Sequence, residues 1–123
     1  MEAKDLMIGD YIYNHRNWEC PIVEIHKDSA VVIARHYGEE EFLLSDLRPI
    51  PLTTEILKKY RFVEESERRW VLSDEYTGDE MLVLYQVAKG FAMPTSGLAI
   101  GFQNVHELQH LFRLCGIIKE IEL

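Results

Sequence analysis

Cysteine is scarce in this chain: there are two, Cys20 and Cys115, with no CxxC pair. A short secreted scaffold usually carries more, so the count points to a reducing cytosol, and both residues read as small buried apolar groups. Long apolar runs are also missing. The best runs from Met81 to Val87 and is broken by Gln86, far short of the roughly 20 residues of a membrane helix. The opening Met1-Glu2-Ala3-Lys4-Asp5 lacks the basic start and apolar stretch of a signal peptide. Positive charge is in deficit, with 13 Lys and Arg against 21 Asp and Glu and a formal net charge of −8. The densest basic stretches, Lys58-Lys59-Tyr60-Arg61 and Arg68-Arg69, are separated by Glu64, Glu65 and Glu67. Without a basic patch, direct nucleic-acid binding is disfavoured. Neither a repeat nor a low-complexity segment interrupts the chain.

What remains is ordinary globular material. The 123 residues are 47% hydrophobic and 28% charged, enough for one domain, or two subdomains sharing a core, without metal or disulfide support. The first half reads as short strands. Tyr11-Ile12-Tyr13 leads into a polar loop, and Pro21 to His26 alternates Val23 and Ile25 with Glu24 and His26. Ala30 to Ala34 is a continuous apolar run, and Glu41 to Leu44 is a fourth candidate strand. Close strand spacing without a helix predicts residues 1–50 as a small SH3-like antiparallel β-barrel or bent sheet.

Pro49 and Pro51 stop that sheet. Thr53 is placed to cap a short helix running to about Tyr60. Arg69 to Ser73 puts Trp70 and Leu72 on one face, and Asp74 to Asp79 is a turn. In Glu80 to Ala88 the residues Met81, Val83, Tyr85 and Val87 share a face. Lys89-Gly90 turns the chain, a Pro94-Thr95-Ser96 loop follows, and Gly97 to Phe102 is another strand. Asn104 and Gly116 bracket a last helix with Val105, Leu108, Leu111, Phe112 and Cys115 as its apolar stripe. The tail from Ile117 to Leu123 alternates like an edge strand. Residues 51–123 therefore read as an α+β subdomain in which a short helix and a C-terminal helix join an antiparallel sheet. The fold class is α+β.

One run carries the spacing of a known chemistry. His106-Glu107-Leu108-Gln109-His110 matches the H-E-x-x-H of zinc metallohydrolases, in which histidines one helical turn apart hold the ion and the glutamate deprotonates its water. Against it, Arg113 stands where the extended motif has glycine. The apolar stripe also turns His106, Gln109, His110 and Arg113 to the opposite side, and in a small domain that side faces water. The sequence reading is a solvated helix face with no catalytic residue and no cofactor. The alternative is a zinc site with His106 and His110 as ligands and Glu107 as base.

Other candidates are weaker. His26 and His36 can meet across neighbouring strands and, with Cys20, form a metal set, but scattered surface histidines are commoner. Glu39-Glu40-Glu41 and the glutamates around Ser66 read as solvated turns. No phosphate-binding loop or nucleophile elbow is present. Trp70 reads as core, and Trp18, in a polar loop, as an exposed interaction residue.

Two phrases, Leu47-Arg48-Pro49-Ile50-Pro51-Leu52-Thr53-Thr54-Glu55-Ile56-Leu57 and Asn104-Val105-His106-Glu107-Leu108-Gln109-His110-Leu111, carry a resemblance. The chain resembles a family of small uncharacterised proteins of gut bacteria, often encoded in prophages and mobile elements. Its members typically read PIPLTEEWLLKLGF in the middle and VHQLQNLYFALTGEEL near the end. An opening like Leu6-Met7-Ile8-Gly9-Asp10-Tyr11 belongs to the pattern. Glu107 and His110 depart from the usual Gln and Asn, and Tyr60-Arg61-Phe62 stands where a glycine often precedes the phenylalanine. The resemblance implies that the H-E-x-x-H match is incidental and that His106 and Gln109 are structural polar contacts. The expectation is a cytoplasmic, non-enzymatic module that meets a protein partner, one variant being an acidic mimic covering a basic, nucleic-acid-binding protein. No membrane role is expected, and the sequence leaves the oligomeric state open.

Overall fold

The computed structural model describes residues 1–34, 37–95 and 98–117. It is α+β, with two five-stranded antiparallel sheets and two α-helices among the described residues. By its contacts the chain falls into two units. The first comprises Met1–Pro51 and the chain from Asn104 onward; the second is Leu52–Gln103. The sequence reading divides the chain once, near residue 50, whereas the chain returns to its first unit at Asn104. Long-range pairing of α2 with the N-terminal loop, described below, causes that return, and no local sequence signal encodes it.

In the first unit the strands are β1 (Tyr11–Tyr13), β2 (Glu19–Ile25), β3 (Ser29–Ala34), β4 (Gly38–Leu43) and β5 (Arg48–Pro49), in the order β4-β3-β2-β1-β5. The sheet is open among the described residues, a bent sheet rather than a closed barrel. Its core follows the period of two: Ala30, Val32 and Ala34 of β3 are buried beside Ile12, Cys20 and Ile22. The face expected for β2 is corrected: Cys20 and Ile22 are the buried pair, and the register with β3 shifts at Val23, between Ile22 and Glu24. Helix α2 (Val105–Leu114) completes the unit, with Gly116 left-handed at φ +70° just beyond it. Its stripe of Val105, Leu108, Leu111 and Phe112 is buried as the spacing predicts. Cys115, assigned to the same stripe, is exposed instead, since it lies past the last helical residue. The tail strand expected over Ile117–Leu123 lies, beyond Ile117, outside the described residues.

In the second unit, α1 (Thr54–Lys59) starts as the sequence suggests, the Thr53 hydroxyl accepting from the Ile56 N–H at 3.3 Å. The sheet runs β10-β9-β8-β7-β6, from β6 (Val63–Ser66), β7 (Arg69–Ser73), β8 (Glu80–Val87), β9 (Gly90–Thr95) and β10 (Leu98–Phe102). The β7–β8 turn is held by Asp74, whose carboxylate accepts from the Tyr76 and Thr77 N–H groups. These bonds favour the charged form and lower its pKa. Trp70, Leu72, Leu82, Leu84, Phe91 and Phe102 form the buried face, with Leu57, Tyr60 and Phe62 of the α1 segment also buried. Strand β9 was not expected, because Pro94 reads as loop; it pairs instead with Ala99 of the terminal strand β10. Ser96 and Gly97 lie outside the described residues.

Candidate functional site

Helix α2 has a polar side, and the structure corrects the expectation that it faces water for His106 and Gln109, while Arg113 is exposed and His110 half-buried. His106 and Gln109 are only 8% and 5% exposed. The reason is the loop Met7–Tyr11 of the same unit, which hydrogen-bonds to this side of the helix. Gln109 spans two backbone groups of the loop: its Oε1 accepts from the Tyr11 N–H at 2.8 Å and its Nε2 donates to the Gly9 carbonyl at 2.9 Å. Gly9 adopts φ +93°, and a Cβ there would lie 3.1 Å from Arg113 Nη2, so both conformation and space favour glycine.

At the centre is Asp10, fully buried. One carboxylate oxygen accepts from the Met7 N–H at 2.8 Å and meets His110 Nε2 at 2.6 Å. The other accepts from Arg113 Nη1 at 3.0 Å. A carboxylate only accepts, so the His110 proton sits on Nε2. Charge-assisted bonds of this length are the strong class, and they satisfy a group that burial would otherwise make very costly. Gln109, His110 and Arg113 thus form a tie between the C-terminal helix and a loop about a hundred positions earlier.

Within the H-E-x-x-H run, Glu107 serves the helix cap and His110 the tie. Glu107 is at the third helical position, where its Oε1 accepts from the Asn104 backbone N–H at 3.1 Å and from Asn104 Nδ2 at 2.9 Å. This is the acidic half of a capping box, and it also meets the positive end of the helix dipole. His110 Nε2 is turned to Asp10. His106 lies with its ring centre 5.6 Å from that of His110, edge to face, and its Nδ1 is buried without a hydrogen-bond partner. Burial lowers the pKa of His106; the carboxylates of Asp10, Glu107 and Asp5 oppose that shift, while His110 adds to it. Among the described residues, no three His, Cys, Asp or Glu side chains are grouped to hold a metal ion. With Glu107 on the cap and His110 on Asp10, the run does not present two open imidazoles and a free base.

The first-half candidates are dispersed. Cys20 is buried in the core of the first sheet, and burial raises its thiol pKa. His26 is exposed beside Glu24 and Glu41 at 3.2 and 3.8 Å, and His36 lies outside the described residues. Trp18 is half-buried. Its loop is fixed by Asn14, whose Oδ1 accepts from the Arg16 and Trp18 N–H groups. The indole stacks on Tyr37 at 4.8 Å, with the Arg16 guanidinium 4.9 Å from its ring centre.

A surface that the sequence reading passed over lies on the second sheet. Met81, Val83, Tyr85 and Val87 do share a face, but Leu82 and Leu84 are the buried ones; Met81, Tyr85 and Val87 are 38%, 39% and 45% exposed. Across the ladder, Val83 pairs with Val71, which is only 3% exposed, and Val71 with Val63, which is 65% exposed. Tyr85 pairs with Ala92 on one side and with Arg69 on the other. Arg69 donates to the Tyr85 hydroxyl at 3.4 Å and reaches Glu65 at 2.7 Å and Glu80 at 3.3 Å, so the exposed apolar residues of this face, Met81, Tyr85, Val87 and Val63, surround a buried valine and a charged arginine. The signal was present: Met81 to Tyr85 is apolar at every position, as in a strand covered on both sides.

Among the described residues no helix is long and apolar enough to cross a membrane. A scan against family models, a search of curated proteins and a search of solved structures each returned no match.

Proposed function

We propose that this chain is a non-enzymatic protein-interaction module and that the outer face of β8 is its contact surface. The exposed apolar residues Met81, Tyr85, Val87 and Val63 on one face of the sheet carry this reading. An antiparallel sheet packed on one side usually carries polar residues on the other, and an excess of exposed apolar side chains there favours a partner. Tyr85 supplies the aromatic anchor typical of interface centres. The resemblance to proteins of prophages and mobile elements supports reading the encounter as one in a bacterial cytoplasm. The net charge of −8 suits the variant in which the partner is a basic, nucleic-acid-binding protein.

The zinc-hydrolase reading has less support, because Glu107 and His110 are engaged by the cap and by Asp10. The test is affinity purification from the native host with the wild-type chain and a Tyr85→Lys/Val87→Lys double variant. A partner held by the wild type and lost by a variant that still melts cooperatively is the expected result. A partner retained by the double variant and lost by Trp18→Ala would move the surface to the first unit. Stoichiometric zinc in the purified protein, absent from a His110→Asn variant, would overturn the module reading.

A further inference from the structure

The outer row of β8 is charged at both ends, and with opposite signs. Asp79 and Glu80 come just before Met81, and Lys89 comes just after Val87. Glu80 is taken up by Arg69 at 3.3 Å. Asp79 and Lys89 are exposed, and among the described residues neither has an ion pair. The row is also symmetric about Leu84 in its chemistry. Val83 and Tyr85 flank that residue, Met81 and Val87 lie further out, and Asp79 and Lys89 stand at equal distances beyond them.

Such a row is complementary to itself. A two-fold axis lying across the strand at Leu84 would bring the same face of a second copy onto it, with the two β8 strands antiparallel. Each Met81 would then lie over a Val87, and each Val83 over a Tyr85. Each Asp79 would come toward a Lys89, close enough to be felt within a Debye length of roughly 8 Å. Isologous contact of this kind is the commonest way that a chain meets its own copy, and two open sheets pack aligned, about 10 Å apart. Elsewhere a net charge of −8 repels a second copy. Arg69 brings its own carboxylates, Glu65 and Glu80, so covering it strands no charge. The face from β6 to β9, over the 8 residues of β8, measures roughly 19 by 26 Å. A dimer would cover about 1,000 Å² in total, the small end for a specific interface, so its association is weak.

We infer that a second copy of this chain occupies the β8 face, in an antiparallel, face-to-face dimer. The inference rests on the reading of that face as a contact surface and adds a rule of occupancy: a different protein partner must displace the second copy.

Sedimentation equilibrium of the full chain at low salt, from about 10 µM to 1 mM, tests it. The mass should rise from monomer to dimer with concentration. Tyr85→Lys should weaken association about tenfold or more while the chain still melts cooperatively. Asp79→Lys and Lys89→Asp should each weaken it several-fold, because like charges then approach. An equimolar mixture of those two variants should recover the wild-type affinity, since the heterodimer pairs opposite charges again. A monomer at every concentration would overturn the dimer; capture of another protein by the same face has its own test above and could still succeed. A dimer indifferent to Tyr85→Lys would overturn it by putting the contact elsewhere. Single reversals without effect, or no recovery on mixing, would overturn the antiparallel pairing on which the dimer is argued.

Discussion

The two sheets have the same number of strands and the same antiparallel pairing, yet they place apolar residues differently. On β3 the alternation sorts Ala30, Val32 and Ala34 inward, and the neighbouring edge strand β4 presents Glu39, Glu40 and Glu41 to solvent. Charges on an edge deter pairing with other chains. On β8 both parities are apolar: Leu82 and Leu84 build the core, and Met81, Tyr85 and Val87 are left in water. Packing accounts for the first set and not for the second, which is the set proposed above to meet a partner. The first unit spends its unusual residues elsewhere, on a buried carboxylate that ties a loop to a helix.

That comparison can be broken in order of effect. Asp10→Ala should remove about 3–5 kcal/mol of stability in urea melts, because Arg113 and His110 lose a buried partner; a cost under about 1 kcal/mol would mean that the tie is ornamental. Leu84→Ala should cost roughly 2–5 kcal/mol, while its neighbour Tyr85→Lys should change stability by no more than about 0.5 kcal/mol. Equal losses at the two positions would erase the distinction between the core face and the exposed face. Gln109→Ala should cost about 1–3 kcal/mol by stranding the Tyr11 N–H and the Gly9 carbonyl. Glu107→Gln should cost at most about 1 kcal/mol, the range of a helix cap, because an amide oxygen can still accept from Asn104.

The smallest effect is a pH dependence. The folded chain holds His106 below its ordinary 6.5 through burial, so below about pH 6.5 the unfolded chain binds the proton first. The contribution is whole above that pH and erodes as pH falls toward the folded value. Wild-type stability should therefore drop more between about pH 7.5 and pH 5 than that of a His106→Gln variant. Parallel curves for the two proteins would contradict a buried neutral imidazole.

Most of the architecture could be read from period and punctuation. Thr53, Asn104 and Gly116 marked helix ends, and the spacing of Val105, Leu108, Leu111 and Phe112 marked the buried stripe, because caps and periodicity are local. Misreadings came where tertiary context decides. Pro94 signals a loop, yet the terminal hairpin tolerates it. Met81 to Tyr85 signals a covered strand, and only the fold says which parity is covered. At the site, the helix wheel correctly set His106, Gln109, His110 and Arg113 apart from the apolar stripe. That His106 and Gln109 on this second side are also covered goes with the loop around Asp10, whose partners lie 100 and 103 positions away. A single aspartate in a Gly-Asp-Tyr phrase carries no mark of that distance. The resemblance pointed closer, since it implied structural contacts for His106 and Gln109; Gln109 makes them, while His106 leaves one nitrogen unmatched.

The division of the chain also sets a timetable. The first unit is interrupted by the whole of residues 52–103 before it resumes at Asn104. During synthesis the N-terminal sheet is complete long before its helix exists, and at ordinary translation rates the wait is roughly 3–10 s. The inserted unit, whose contacts lie within one continuous stretch, can reach its final state in that interval. The older segment meanwhile waits with Asp10 unmatched, and that is when a chaperone or a protease would find it.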